Sequence, residues 1–360
     1  MSHPIVKSIP CSGCLSYLIG CRTTGRALLV DPKVGQEATY AGLLAAYGLE
    51  LHAVLDTHTH ADHLSAGPRF VGDGVELWMS ANSECARPRR DLGAGEPVQV
   101  GELAFEVLPV PGHTPDSIAL FGHGLVLTGD SLFIGGLARS DFRGSDPAQL
   151  FDSVQGQLMG LAGGTLVFPG HDYGDRLFST IAHERATNPA LQHASGADYA
   201  RSLDQHEGGG NTPAVDAALR TNLAASPELP ESAPNAAACC AAPSGGTARS
   251  EVLDVTAEEC LDELEELTRR SLWIDVREPW EFEQGHIPGT RSVPLSELGF
   301  TLGDLAREEP LTISCRSGVR SMSAARTLER LGVARAPRNL TGGILAWQER
   351  DYPIEGQPVD

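Results

Sequence analysis

No apolar run in this 360-residue chain approaches the length of a membrane span, and its start, "MSHPIVKSIP", lacks the basic-then-apolar pattern of a secretion leader. We therefore expect a soluble, cytoplasmic protein. Excess positive charge is missing too: 27 Lys and Arg stand against 47 Asp and Glu, a formal net charge of -20. Such a field argues against nucleic acid or an anionic membrane surface as the main partner, so any anion site has to be built locally. The eight cysteines, at 11, 14, 21, 85, 239, 240, 260 and 315, lack the regular spacing of a disulfide framework, which favours reduced thiols. Cys11 and Cys14 form a C-x-x-C with no second pair at a zinc-site distance, and they read as small residues near a strand.

What is present suggests two domains, each long enough to bury its own core. The runs "LSYLIG", "ALLVDP", "LHAVLD", "ELWMS", "PVQV", "LAFEVLP", "IALFG", "GLVLTG" and "TLVFP" read as strands. Helical segments fall between them, "EATYAGLLAAYG" closing with Gly48 and 147–160 opening near Pro147. Paired strands with intervening helices predict two sheets sandwiched by helices, over residues 1–225. From about 190 the texture turns rich in Ala, Pro, Gly and Ser, and 226–250 reads as a linker. Beyond it, over 251–360, strand, helix, strand, tight loop and helix predict a small α/β domain with a parallel sheet.

The densest chemistry is "THTHADH", Thr57 through His63, directly after an apolar strand-like run. Four side chains that bind metals, His58, His60, Asp62 and His63, fall there within six positions. His113 in "PGHTPDS", Asp130 in "LTGDSLF" and His171 in "FPGHDYG" each follow an apolar run of their own. A site collected from several strand ends is what an α/β scaffold offers. In the second domain "CRSGVRS", Cys315 through Ser321, lies between the strand "LTIS" and a helix. A cysteine so placed faces backbone N–H groups and a helix N-terminus, which stabilise a thiolate and any anion it carries. Arg316 and Arg320 add positive charge, with Ser317, Gly318 and Val319 completing the loop that would touch substrate.

The pattern H-x-H-x-D-H followed by His, Asp and His resembles the metallo-β-lactamase superfamily, which implies an αββα sandwich for the first domain. All seven positions of that superfamily's two-metal set are filled, so a two-zinc thioester hydrolase similar to glyoxalase II is one implied reading. "GHTPDSIAL", "TGDSLFIGGLARSDF" and "GHDYGDRLFSTIAHERATNP" look more like the persulfide dioxygenase branch. That resemblance implies one non-heme iron(II) on His60, His113 and Asp130, with His58, Asp62, His63 and His171 standing back. Two histidines and a carboxylate leave three positions open, as iron(II) chemistry with dioxygen requires. It also implies Tyr173 near the iron and Arg139 toward a substrate carboxylate, although the branch's usual "RGCGRTDF" here reads "GGLARSDF".

The cysteine loop, with "DVREPWEFEQGHIPGT" upstream, resembles rhodanese sulfurtransferases. A related phosphatase would use C-x5-R, whereas Cys315 to Arg320 is the tighter C-x4-R. The resemblance implies Cys315 as a nucleophile for sulfane sulfur, and Asp275, Arg277 and His286 as structural residues. Together these predict a bifunctional α/β enzyme that oxidises glutathione persulfide with O2 to sulfite and glutathione, and moves sulfur between thiosulfate or sulfite and a thiol. A homo-oligomer is left open.

Overall fold

The computed structural model describes residues 3–141, 143–172, 176–203, 212–225, 250–270, 273–305 and 311–356. Tyr173, Cys239, Cys240 and the expected linker, except its last residue, lie outside them. The described residues fall into two compact units, one before 226 and one from 250 on, residues 176–178 grouping with the second.

The first unit holds two six-stranded sheets. One runs β1 (Ile5–Cys11), β2 (Cys14–Gly20), β3 (Arg26–Val30), β4 (Glu50–Leu55), β5 (Glu76–Ser80) and β6 (Arg90–Leu92), in that order. Its first two pairings are antiparallel and the rest parallel. In the other sheet β7 (Pro97–Val100), β8 (Leu103–Pro109), β9 (Ile118–Gly122) and β10 (Leu125–Gly129) form an antiparallel meander. After a small hairpin of β11 (Leu132–Phe133) and β12 (Gly136–Leu137), β13 (Leu166–Pro169) joins β10 in parallel and β14 (Ser179–Thr180) closes the edge. β2 and β10 are buried along their whole length, as strands covered on both faces must be.

Helices cover the outer faces. Glu37–Tyr47 buries Tyr40 against Leu18, Leu29 and Val54, and Gly48 ends it in the left-handed conformation at φ 61°. Asp146 caps the helix that opens at Pro147, accepting Gln149 N–H at 3.0 Å. The predicted single helix over 147–160 is α-helical only to Ser153 and then widens into a π turn over Val154–Leu158. Its apolar residues Leu150, Phe151, Val154 and Leu158 pack on Val126 and Val167. Two helices, Gly196–Leu203 and Pro213–Leu223, lie in the stretch whose composition suggested a change of texture. Burial of Tyr199, Val215 and Ala218 supports them.

The second unit is a five-stranded, wholly parallel sheet, ordered β15 (Leu253–Val255), β19 (Arg338–Leu340), β18 (Thr312–Ser314), β16 (Trp273–Asp275) and β17 (Arg291–Ser292). Trp273 and Trp347 meet edge to face in its core at 5.6 Å. Both indole N–H groups are satisfied, on Ser314 Oγ at 3.1 Å and the Pro353 carbonyl at 2.8 Å.

Candidate metal centre and cysteine loop

The first cluster sits at the ends of β4, β8, β10 and β13, which deliver His58 to His63, His113, Asp130 and His171. All of these except the half-buried Asp62 are buried. The close approach of two strand ends depends on a missing side chain: a Cβ on Gly170 would stand 2.2 Å from Asp130 Oδ1.

Among the described residues three groups of donors stand close enough to hold a metal ion: His58, His113 and Asp130; Asp31, Asp56 and His60; and Cys14, Asp62 and His63. Nε2 of His58 and of His113 lie 3.9 and 3.6 Å from Asp130 Oδ2, near the roughly 3 to 3.6 Å expected of donors about 2.1 Å from one ion. The surrounding hydrogen bonds prepare the imidazoles as ligands. Thr57 donates its N–H and hydroxyl to the two oxygens of Asp31, at 2.7 and 2.8 Å. Its hydroxyl oxygen can then accept only from His58 Nδ1, at 3.0 Å, which leaves the lone pair on Nε2. Among the described residues that Nε2, like those of His60 and His63, is buried and has no hydrogen-bond partner. His113 Nδ1 donates to the Arg139 carbonyl at 2.8 Å, with the same result. Burial, then the charge of His60, pushes His58 down to about 3, so it is neutral. Burial pushes Asp130 the other way, but His171, through charge and a hydrogen bond, holds its carboxyl well below the usual range. A buried orphan nitrogen, two neutral imidazoles and an ionised carboxylate fit a divalent cation.

Sequence reading placed His60 with His113 and Asp130; in the structure His58 stands with that pair, and His60 stands with Asp31 and Asp56 in a donor group of its own. His60 instead turns Nε2 to Asp31 at 3.2 Å and Asp56 at 3.8 Å. Against the opposing effect of burial, those carboxylates raise it to about 9. Asp62, His63 and His171 adjoin the trio: His171 Nε2 is 3.2 Å from Asp130 and 3.4 Å from Asp62, and His63 Nδ1 is 3.1 Å from Asp62. Arg139 serves His113 through its carbonyl, while its Nε pairs with Asp141 at 2.6 Å.

Four supporting residues escaped the motif reading. Asn222 donates to the carbonyls of His60 and His63, both at 2.8 Å, and accepts Ser65 N–H at 3.1 Å, clamping the histidine loop. Asp116 accepts the Thr59 hydroxyl at 2.6 Å and its N–H at 3.3 Å. Asp31 organises Thr57 and His60. Cys14 donates its thiol to Asp62 at 3.1 Å, and burial together with that carboxylate pushes the thiol well up. Strand "ALLVDP" shows an Asp at its end, a weak signal; nothing local marks Asn222.

Cys315 lies at the end of β18, 1% exposed, with the Gly318 N–H donating to its sulfur at 3.2 Å. The Ser321 hydroxyl is 3.3 Å from that sulfur and 2.7 Å from Asn339 Oδ1, its one proton open to either. Gly343, at φ 60°, lets the next loop approach: a Cβ there would stand 2.3 Å from the Cys315 carbonyl oxygen. Arg316, Ser317 and Val319 are exposed, and Arg320 reaches away to Glu281. Arg277 is structural as expected, forked on Asp275 at 2.7 and 2.9 Å and donating to the Gly285 carbonyl at 2.8 Å. His286 stacks on Phe282 at 3.8 Å.

Comparison with known proteins agrees with both clusters. Residues 86–171 match the metallo-beta-lactamase superfamily and residues 256–350 the rhodanese-like domain. The chain is 34% identical to the mitochondrial persulfide dioxygenase ETHE1 of Homo sapiens over 186 residues, 51% of this chain and 73% of that protein. It is 35% identical to a hydroxyacylglutathione hydrolase of Xanthomonas euvesicatoria pv. vesicatoria over 236 residues, 65% of this chain and 88% of that one. The crystal structure of ETHE1 from Myxococcus xanthus superposes with a TM-score of 0.57 at 34% identity, covering 61% of this chain and 97% of that one. With its fold and these relatives in agreement, the chain belongs to the metallo-beta-lactamase superfamily, has persulfide dioxygenase homologues, and carries a rhodanese-like domain at residues 256–350.

Proposed function

We propose that the protein is a two-site enzyme of sulfur metabolism, with domains at 1–225 and 251–360 joined by 226–250. The first site oxidises glutathione persulfide with dioxygen and water to glutathione and sulfite; the second moves sulfane sulfur between thiosulfate or sulfite and a thiol or persulfide. The convergence of His58, His113 and Asp130 carries the first assignment. Two neutral imidazoles and one carboxylate suit iron(II), which when bound would supply the redox chemistry joining dioxygen to sulfur. Asp31 and Thr57 orient His58, the Arg139 carbonyl orients His113, and His171 holds Asp130 ionised, at 3.2 Å. In the second site the Cys315 thiolate attacks the outer sulfur of thiosulfate, sulfite leaves with the bonding pair, and a thiol later removes the sulfur.

A second reading, a two-zinc thioester hydrolase, is favoured by Asp62, His63 and His171 standing beside Asp130 and by the hydrolase relative. Elemental analysis of anaerobically purified protein, with oxygen uptake on adding glutathione persulfide, separates the two. About one iron per chain with uptake supports the dioxygenase; two zincs without uptake support the hydrolase.

A further inference from the structure

The Cys315 loop carries two guanidinium groups, but only one is free to act as a charge. Arg320 sets Nη1 2.6 Å and Nη2 2.7 Å from the two carboxylate oxygens of Glu281, a bidentate fork. Against the opposing effect of burial, Arg320 and the Glu278 N–H hold the Glu281 carboxyl below its usual range. Glu278, itself buried, adds a second negative charge near Arg320. Arg320 therefore brings no net charge to the mouth of the loop. Arg316 is exposed and, among the described residues, has no carboxylate partner.

Exposed apolar residues belong to the loop or to the segments bonded to it. Val319 in the loop is 70% exposed, Trp280 beside Glu281 is 36% exposed, and Leu345 is 41% exposed. The Leu345 N–H donates to the Arg316 carbonyl at 3.2 Å, which ties its helix to the loop. One open guanidinium with an apolar rim suits a singly charged donor with an organic body. The second charge of thiosulfate would need a second guanidinium, and Glu281 already holds that of Arg320.

We propose that Glu281 is a specificity-determining residue of the Cys315 site, which takes sulfur from singly charged organic donors, thiosulfonates and alkyl persulfides, in preference to thiosulfate. The inference rests on Cys315 being the sulfur-carrying nucleophile. With a thiosulfonate, the Cys315 thiolate attacks the terminal sulfur of RSO2–S⁻ and becomes a persulfide, and the electrons of the broken S–S bond leave with the sulfinate RSO2⁻. Cyanide then removes the outer sulfur as thiocyanate and restores the thiolate.

Thiocyanate formation by the full-length protein, with thiosulfate or benzenethiosulfonate as donor, tests this. Wild type should show the higher kcat/KM with benzenethiosulfonate. Glu281→Gln should raise kcat/KM for thiosulfate about tenfold, mainly through KM, with less than a twofold change for benzenethiosulfonate, and the gain should shrink at high salt. Leu345→Ser should lower kcat/KM for benzenethiosulfonate about threefold more than for thiosulfate. A wild type that prefers thiosulfate, or variants that shift both donors equally, overturns the proposal. If Glu281→Gln fails to fold, the wild-type preference and Leu345→Ser decide it. No thiocyanate from either donor in wild type would overturn instead the reading of Cys315 on which it rests.

Discussion

His58 and His60 sit two positions apart, yet one ring turns to His113 and Asp130 and the other to Asp31 and Asp56. The two should therefore respond differently to substitution. His58→Ala is expected to lose stoichiometric metal, whereas His60→Asn should weaken binding by about 10- to 100-fold at most, as outer partners do. Metal content after dialysis against a graded chelator distinguishes them, and equal loss would place His60 back among the ligands. Thr57 gives a second test. Valine keeps its shape but removes both the hydroxyl that Asp31 accepts and the oxygen that fixes His58. Thr57→Val should lower metal affinity about 10- to 100-fold without unfolding the protein, as chelator competition and circular dichroism would show.

At the scale of elements, the histidine loop is held by a helix far along the chain. The helix Pro213–Leu223 reaches the loop through Asn222, buried and hydrogen bonded to His60, His63 and Ser65. Asn222→Ala leaves two carbonyls and one N–H to seek other partners, and should cost about 3 kcal/mol by denaturant titration, with metal loss following. In the second unit, Glu281 ties the helix Pro279–Glu283 to the cysteine loop. Its folded pKa lies below the ordinary value of 4.5. The stability it contributes is therefore fully present above that pH and is lost as pH falls through the folded pKa. Thermal unfolding of the second unit should decline with acid in wild type and decline less steeply in Glu281→Gln; identical slopes would show that the pair contributes nothing.

At the scale of the whole molecule, the two proposed chemistries use separate donor sets in separate units. Cys315→Ser is expected to abolish sulfur transfer and keep persulfide-dependent oxygen uptake, and His58→Ala to do the reverse. Loss of both activities in either variant would mean that one site serves both reactions.

The sequence by itself determined most of the frame. Short apolar runs marked the main strands of the first unit, because strands buried on both faces need them, and Gly48 marked a helix end because glycine readily takes the left-handed conformation that closes it there. The seven candidate metal-binding residues and Cys315 were legible because they follow buried strands. The helices Gly196–Leu203 and Pro213–Leu223 were not, since the Ala-, Gly- and Ser-rich stretch around them reads as a change of texture rather than as packed structure. Only tertiary structure decided which histidine joins His113 and Asp130, because Asp31, 27 residues before His58 in the chain, sets the rotations through Thr57. It likewise decided that Arg320 is neutralised, because Glu281 is 39 residues away in sequence and a fork apart in space. Spacing announces which donors are available; partners brought from distant strands and helices determine where each one points.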